Sequence, residues 1–269
     1  MRVLVTGHKG FIGKNLVRYL HDTTDWELTT YDWGDEFPGL LDQDWVIHLG
    51  AISTTTERDL DKVMLQNYDF TKQLFDNCKK FGVNLQYSSS ASLYGLGTEF
   101  TEGSQLDPRT PYAWSKYLCE RHHRLHQGGN IVQAFRYFNV YGNDEKHKGG
   151  QASPITQFRG QNPIKLFKNS DRYLRDFIAV EDVCRIHTEF IKIRESGIWN
   201  VGTGKATSFQ TIAEIISNKT KAPIQYVEMP KILEHSYQTY TCSDNSKLEK
   251  TLGPQQWITV SQWLDQHFS

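Results

Sequence analysis

Over most of its length the chain alternates short β-branched runs with stretches of helical periodicity. RVLVTG (2–7) is an apolar run closed by glycine, and FIGKNLVRYLH (11–21) then spaces its apolar residues three and four apart, predicting a strand, a glycine-rich turn and a helix. WELTTYD (26–32) and WVIHLGA (45–51) predict two more strands. DKVMLQNYDFTKQLFDNCKKFG (61–82) predicts a helix, NLQYSSS (84–90) a strand, YAWSKYLCERHHRLHQ (112–127) a helix and IVQAFRYFNV (131–140) a strand. This order implies right-handed βαβ units and an α/β fold with a doubly wound parallel sheet. After Gly142 the pattern loosens into the polar, Gly- and Pro-bearing segment 143–175. It returns with RDFIAVEDVCRIHTEFIKI (175–193) and GIWNVGTG (197–204), which predicts a first domain over 1–146, rejoined by 176–204, and a smaller discontinuous lobe within 147–269.

Composition narrows the function classes. The 269 residues are enough for a sizeable core, and a net charge of −1 leaves no footprint for nucleic acid or an anionic membrane surface. Cys78, Cys119, Cys184 and Cys242 are scattered without zinc spacing, which reads as reduced thiols and no metal site. RHHRLH (121–126) reads as a solvated helix face, since His122 and His123 point different ways on a helix. No run of eighteen apolar residues occurs, so a cytoplasmic protein with no membrane segment is expected.

Candidate chemistry begins at GHKGFIG (7–13). Gly7, Gly10 and Gly13 stand at the turn from the first strand into the first helix, with Lys9, Phe11 and Ile12 between them. Glycines there let the backbone approach a pyrophosphate, and the helix N-terminus offers free N–H groups. Asp32, nineteen residues beyond Gly13 at the end of the next predicted strand, is placed to accept from adenosine ribose hydroxyls. The first domain therefore reads as a Rossmann-type dinucleotide-binding domain. Asp32 favours NAD, whereas Lys9 beside the turn is suited to the 2′-phosphate of NADP; the choice stays open, with NAD preferred.

Tyr112 and Lys116 lie four apart in YAWSK and share a helix face. An ammonium beside a phenol favours phenolate, which lets tyrosine act as general acid or base near neutral pH. SSSASLYG (88–95) closes the preceding strand, and Ser90 is the hydroxyl expected beside Tyr112 on a substrate oxygen.

In this order, the glycine turn, the serine strand end and YxxxK resemble the extended short-chain dehydrogenase/reductase superfamily, over nearly the whole chain. Its dehydratases carry an Asp–Glu pair directly after the catalytic Ser or Thr; here those positions are Ala91 and Ser92, so dehydration lacks its acid. FRYFNVYGNDEKHKGGQASPI (135–155) is similar to the matching segment of ADP-glyceromanno-heptose 6-epimerases, as are GAISTTTERD (50–59), QNYDFTKQLFDNC (66–78), RDFIAVEDV (175–183), GIWNVGTGKATSFQTIAE (197–214) and YQTYT (237–241). The resemblance implies that Lys148 is a second acid/base beside Tyr112 and that Lys116 holds the nicotinamide ribose. It also implies cofactor contacts at Gly50, Ala51 and Asn67, and substrate contacts at Ser53, Ser90, Asn139, Lys148, Arg175 and Tyr237. The implied reaction inverts C6″ of a nucleotide-linked heptose through a ketone, with tightly bound NAD or NADP regenerated each cycle. The lobe at 147–269 then becomes a substrate-binding lobe, and a homo-oligomer pairing through the helices near 57 and 112 is expected by analogy.

One segment departs from the resemblance. Only twelve residues, WGDEFPGLLDQD (33–44), separate Asp32 from the next strand, where relatives fit a helix and a strand. The segment has no lysine or arginine and carries Asp35, Glu36, Asp42 and Asp44, which disfavours a 2′-phosphate and implies a sheet lacking one strand. Two other readings remain: a nucleotide-sugar 4-epimerase or ketoreductase using Ser90, Tyr112 and Lys116 without Lys148, and a dinucleotide-binding sensor or scaffold without turnover.

Overall fold

Val3, Leu4 and Val5 are fully buried in the first strand, β1 (Arg2–Thr6), around which the sheet is built. The computed structural model describes residues 1–269 except 55–56, 126–127, 231–237 and 268–269. Two compact units result: Met1–Gly95, Gln105–Tyr137 and Cys184–Trp199 form the first, and Leu96–Ser104, Phe138–Val183 and Asn200–Ser269 the second.

In the first unit β2 (Glu27–Tyr31), β3 (Trp45–His48), β4 (Asn84–Ser90), β5 (Val132–Tyr137) and β9 (Gly197–Val201) join β1 in a six-stranded sheet of order β2-β1-β3-β4-β5-β9. Strands β2 through β5 pair in parallel, as the βαβ pattern requires. Residues 33–44 hold no strand, so β2 is the sheet edge, as the short linker predicts. Helix α1 (Phe11–Thr23) follows the glycine turn. The helical stretch after β3 is α2 (Leu60–Val63), a π-helical turn (Met64–Asp69) and α3 (Phe70–Phe81), which ends on Gly82 in the left-handed conformation. Next comes α4 (Pro111–Leu125). Tyr87 of β4 meets Phe75 of α3 and His123 of α4 on one face of the sheet. On the other, Phe135 of β5 packs on His187 and Phe190 of α6 (Val180–Phe190). His123 is thus a core residue bonded to the Tyr87 hydroxyl, and the solvated-face reading fails for it because that side of α4 covers the sheet.

The second unit holds β6 (Asn139–Tyr141) and β10 (Ala206–Ser208) on either side of β8 (Leu174–Ala179), and β7 (Ile164–Phe167) paired with β11 (Ile224–Val227). Its core joins Phe158 of α5 (Pro154–Arg159), Leu166, Phe177, Ile212 and Ile216 of α7 (Phe209–Thr220), and Trp263. The chain returns to the first unit over 184–199, a shorter span than 176–204, because β8 pairs with β6 and β10 in the second unit. The first unit also ends at Tyr137 instead of 146, where Phe138 breaks the predicted strand into β5 and β6. Among the described residues no helix is long and apolar enough to cross a membrane.

Buried polar groups lock α4 and α6 to the sheet. Arg136 of β5 donates from Nε (2.8 Å) and Nη2 (2.6 Å) to the two oxygens of Glu120 on α4, and from Nη1 to the Tyr94 hydroxyl at 2.9 Å. Ser89 Oγ donates to Glu120 at 2.6 Å. On the opposite face, the Gln133 amide N–H donates to the carbonyls of Phe190, Ile193 and Glu195, which fixes its oxygen toward Gln86 Nε2. Gln86 Oε1 must therefore accept from His187 Nδ1 (2.7 Å), leaving His187 Nε2 to accept the Tyr137 hydroxyl proton.

Two outcomes follow for the first unit. Glu120→Gln leaves the Arg136 charge buried without its counter-ion and is expected to lower unfolding free energy by about 3–5 kcal/mol, read by urea denaturation. His48 and His187 are buried and neutral, desolvation depressing both to about 3, with Lys116 adding to the effect on His48. Unfolded histidine titrates near pH 6.5. Between the two values the unfolded chain binds more protons, so stability is lost as pH falls, by about 1.4 kcal/mol per pH unit for each histidine. In a stable His187→Gln variant the slope of unfolding free energy between pH 4.5 and 6 should be shallower by that amount; an equal slope would show that His187 is already charged when folded.

Candidate active site

Gly7 adopts φ +75°, and a Cβ on it would lie 2.4 Å from the backbone nitrogen of Gly50; one on Gly13 would lie 2.1 Å from the Gly7 carbonyl oxygen. No side chain fits either place, so β1, the loop after β3 and α1 meet backbone to backbone. Gly10 caps α1 without a side-chain hydrogen bond, and the first turn carries no acidic residue, which leaves the N–H groups and positive dipole end open. Phe11 is buried beneath the turn and Ile12 half-buried. In the same turn His8 Nδ1 is buried with no hydrogen-bond partner.

A cleft of about 100 Å³ beside this turn is lined by Thr6, Gly7, Tyr31, Asp32, Gly50 and Ala51, with Trp33, Ile52, Gln66 and Phe70. Asp32 accepts the backbone N–H of Lys9 at 2.9 Å and that of Trp33 at 2.8 Å. The Lys9 ammonium binds both oxygens of Asp35 (2.9 and 2.8 Å) and is not left free for a phosphate. That hydrogen bond holds the exposed Lys9 above, and Asp35 below, its ordinary pKa. The glycine cradle, the uncapped helix end, the orphaned imidazole nitrogen and the carboxylate at the strand end together fit a dinucleotide.

His48 ties this corner together. Its Nδ1 meets Thr6 Oγ1 at 2.6 Å and its Nε2 meets Thr71 Oγ1 of α3 at 2.8 Å, linking the ends of β1 and β3 to the helix. Asn67 is fully buried in the π-helical turn, where its side chain accepts from Ile52 N (2.7 Å) and donates to Ile52 O (3.0 Å) and Ser115 Oγ (3.0 Å). It clamps the loop of Gly50, Ala51 and Ser53, of which Ser53 is exposed.

Ser90, Tyr112 and Lys116 converge in the first unit. Ser90 Oγ accepts Ser92 N at 3.1 Å and lies near enough to the Tyr112 phenol to act on its pKa. The Lys116 ammonium, 2% exposed, donates to Ser88 O (2.8 Å) and Ser88 Oγ (3.0 Å) and lies 5.9 Å from the Tyr112 ring centroid. Lys116 does not lower the phenol here as the spacing suggests: burial raises the Tyr112 pKa, with Ser90 opposing, and burial drives Lys116 down to about 8. Tyr137, in register with Ser90, is also pushed up by burial, with Cys184 and Tyr112 contributing. Ser92 Oγ is buried and has no partner.

The second unit carries Asn139, Lys148 and Arg175. Asn139 is exposed at the start of β6, in register with Phe177, so it caps no buried strand end. Arg175 is buried over the Phe209 ring and donates to the carbonyls of Leu174 (2.8 Å) and Gln238 (2.7 Å). Its neighbour Asp176 is already held by the N–H groups of Thr203, Gly204 and Ser243 and the Thr203 hydroxyl. Lys148 is half-buried, its ammonium 3.9 Å from Glu145 Oε1; burial lowers its pKa and Glu145 opposes this. A cavity of about 230 Å³ is lined by Phe158, Leu166, Phe167, Tyr173 and Phe209, with Gln157, Gln161 and Lys165 at polar positions. Tyr237 lies outside the described residues.

Sequence reasoning passed over His48, Glu120 and Glu145. His48 carried a signal, the only polar side chain in the strand WVIH; Glu120, four beyond Lys116, and Glu145, three before Lys148, look like ordinary helix and loop acids until their burial is known.

Solved structures share this fold over nearly the whole chain. The Helicobacter pylori ADP-L-glycero-D-manno-heptose-6-epimerase is similar with a TM-score of 0.88 and 23% identity, over 99% of this chain and 95% of that one. RMD from Pseudomonas aeruginosa, solved with NADPH, has a TM-score of 0.83 and 26% identity, covering 98% and 96%. The Thermotoga maritima UDP-glucose 4-epimerase, solved with UDP-glucose, has a TM-score of 0.81 and 20% identity over the whole of both chains. Residues 3–202 match the model of the NAD dependent epimerase/dehydratase family, and with the glycine turn, Ser90, Tyr112 and Lys116 in place the chain belongs to that family.

Proposed function

We propose that the protein is a nucleotide-sugar epimerase that inverts C6″ of ADP-glyceromanno-heptose through a transient ketone. The observation that carries this reading is Lys148: a half-buried lysine beside a fixed carboxylate, in a chain that already has Ser90, Tyr112 and Lys116. The structural likeness to a heptose epimerase supports the choice of sugar.

Gly7, Gly10 and Gly13 would hold the pyrophosphate of a tightly bound nicotinamide dinucleotide at the α1 N-terminus, Asp32 its adenosine ribose and Lys116 its nicotinamide ribose. That group, when bound, accepts hydride from the sugar carbon and later returns it. One of Tyr112 and Lys148 takes the C6″ hydroxyl proton as the hydride leaves, giving the ketone. After the ketone turns about its exocyclic bond, the other residue protonates the oxygen as hydride reaches the opposite face. Burial raises the Tyr112 pKa and lowers that of Lys148. Ser90 orients the carbonyl. Asn139 and Arg175 take the diphosphate side, and the aromatic cavity beside Arg175 suits the base. The exposed Leu60, Leu65 and Trp114 on the helices near 57 and 112 suit a homo-oligomer in the cytoplasm, and a heptose product points to a surface glycan such as lipopolysaccharide.

Proton NMR of the purified protein with ADP-D-glycero-β-D-manno-heptose, with and without added NAD or NADP, tests the reading. Conversion to the L-glycero epimer is expected. Lys148→Ala should lower kcat by about 10²–10⁴-fold with substrate affinity largely kept. A variant retaining most of its turnover would instead favour a 4-epimerase using Ser90, Tyr112 and Lys116 alone. NAD should bind more tightly than NADP by calorimetry, because the Asp32 and Asp35 carboxylates would repel a 2′-phosphate and Lys9 is engaged by Asp35; Asp32→Ala should narrow the gap.

A further inference from the structure

We infer that Glu145 is the positioning residue of Lys148, a buried and immobilised carboxylate that sets where the ammonium sits and how firmly it keeps its proton. The inference rests on the reading of Lys148 as an acid/base.

Glu145 is 1% exposed, and its carboxylate is pinned at the N-terminus of α5. Oε1 accepts Ser153 N at 2.7 Å; Oε2 accepts the hydroxyls of Ser153 at 2.6 Å and Thr156 at 2.8 Å. Ser153 is also the N-cap of α5, so the carboxylate is held by a helix end instead of by its own loop. Lys148 is tied to the same residue twice: its backbone N–H donates to Glu145 O at 3.0 Å, and its ammonium lies 3.9 Å from Oε1. At that separation the two charges attract without a hydrogen bond between them.

A group that takes a proton in one half-reaction and gives one in the other works best when its pKa is near the operating pH. Burial pulls Lys148 down and the Glu145 charge pulls it back. Asp144, Lys146 and His147 on the same loop and Arg159 on α5 are the other charged or titratable groups of the two elements that meet here, and the Glu145 charge acts on the Lys148 equilibrium. Asp176 in the same unit shows what a purely structural carboxylate looks like, its oxygens taken by backbone N–H groups and a hydroxyl that join three segments. A staple of that kind needs acceptor atoms; the role inferred for Glu145 needs its charge.

Glu145→Gln separates the two, since it keeps the side-chain shape and removes the charge. In the full chain labelled with ¹³C at lysine Cε, the Lys148 NMR resonance is identified by its loss in Lys148→Met. Its titration midpoint in Glu145→Gln should fall by about one to three pH units. Glu145→Asp, which keeps a charge at shorter reach, should lie between that value and the original; if only the Asp variant folds, its midpoint must still be lower. Midpoints equal to that of the unsubstituted protein would overturn the inference, even if melting temperature dropped. The alkaline limb of turnover, in the direction where Lys148 donates its proton, should move to lower pH by the same amount. A shifted midpoint with an unmoved limb would leave the Glu145–Lys148 coupling standing and remove Lys148 from the reaction.

Discussion

The buried pair of Arg136 and Glu120 is the interaction on which the placement of α4, with Tyr112 and Lys116, depends. Tyr112, Lys116 and Glu120 occupy positions i, i+4 and i+8 of α4, one stripe of the helix. Glu120 is clamped at that stripe's far end by Arg136 from β5 and Ser89 from β4, and this sets the rotation and height of α4 against the sheet. Lys116 then reaches Ser88, and Tyr112 reaches Ser90, at the carboxyl end of β4. Removing two charges from water is costly, and good geometry is what offsets it. Here the guanidinium makes two bonds to one carboxylate and a third to Tyr94, and the carboxylate also takes the Ser89 hydroxyl, so both partners are well satisfied in return for a defined register.

Other buried polar groups at the strand ends are kept neutral. His48 bridges two threonine hydroxyls beside the glycine turn, and His187 links Gln86 to Tyr137. Each imidazole joins two elements with directional bonds while avoiding the desolvation cost of a buried charge. Ligands of doubly wound sheets bind outside the carboxyl ends of the strands. Polar ties gather at those ends here: Thr6 and His48, Ser88 to Ser90, and Tyr137.

In the second unit the organising groups are carboxylates. Asp176 joins β8 to the turn at 203–204 and to Ser243, and Glu145 joins the Lys148 loop to α5. Both draw on backbone N–H groups that have no partner within their own element, which is why acids that look like surface residues in sequence are buried without an ion pair to a guanidinium.

The order of elements, the parallel sheet, the missing strand at 33–44 and the shared helix face of Tyr112 and Lys116 were legible in the sequence, because each rests on local rules: side-chain periodicity, glycine at a tight turn, and four-residue spacing on a helix. Where the chain passes between units was less legible, since the partners that hold β8 in the second unit, β6 and β10, are distant in sequence and short. The ionisation of the site was not legible at all. Spacing put an ammonium near the Tyr112 phenol and suggested a lowered pKa, whereas burial reverses the direction and Lys116 turns to Ser88. Nor does spacing separate Lys148 from a solvated loop lysine. By itself the sequence determined which elements form and which residues are candidates for the chemistry; only the tertiary structure decided which of those groups are dry, because desolvation depends on neighbours brought from far along the chain.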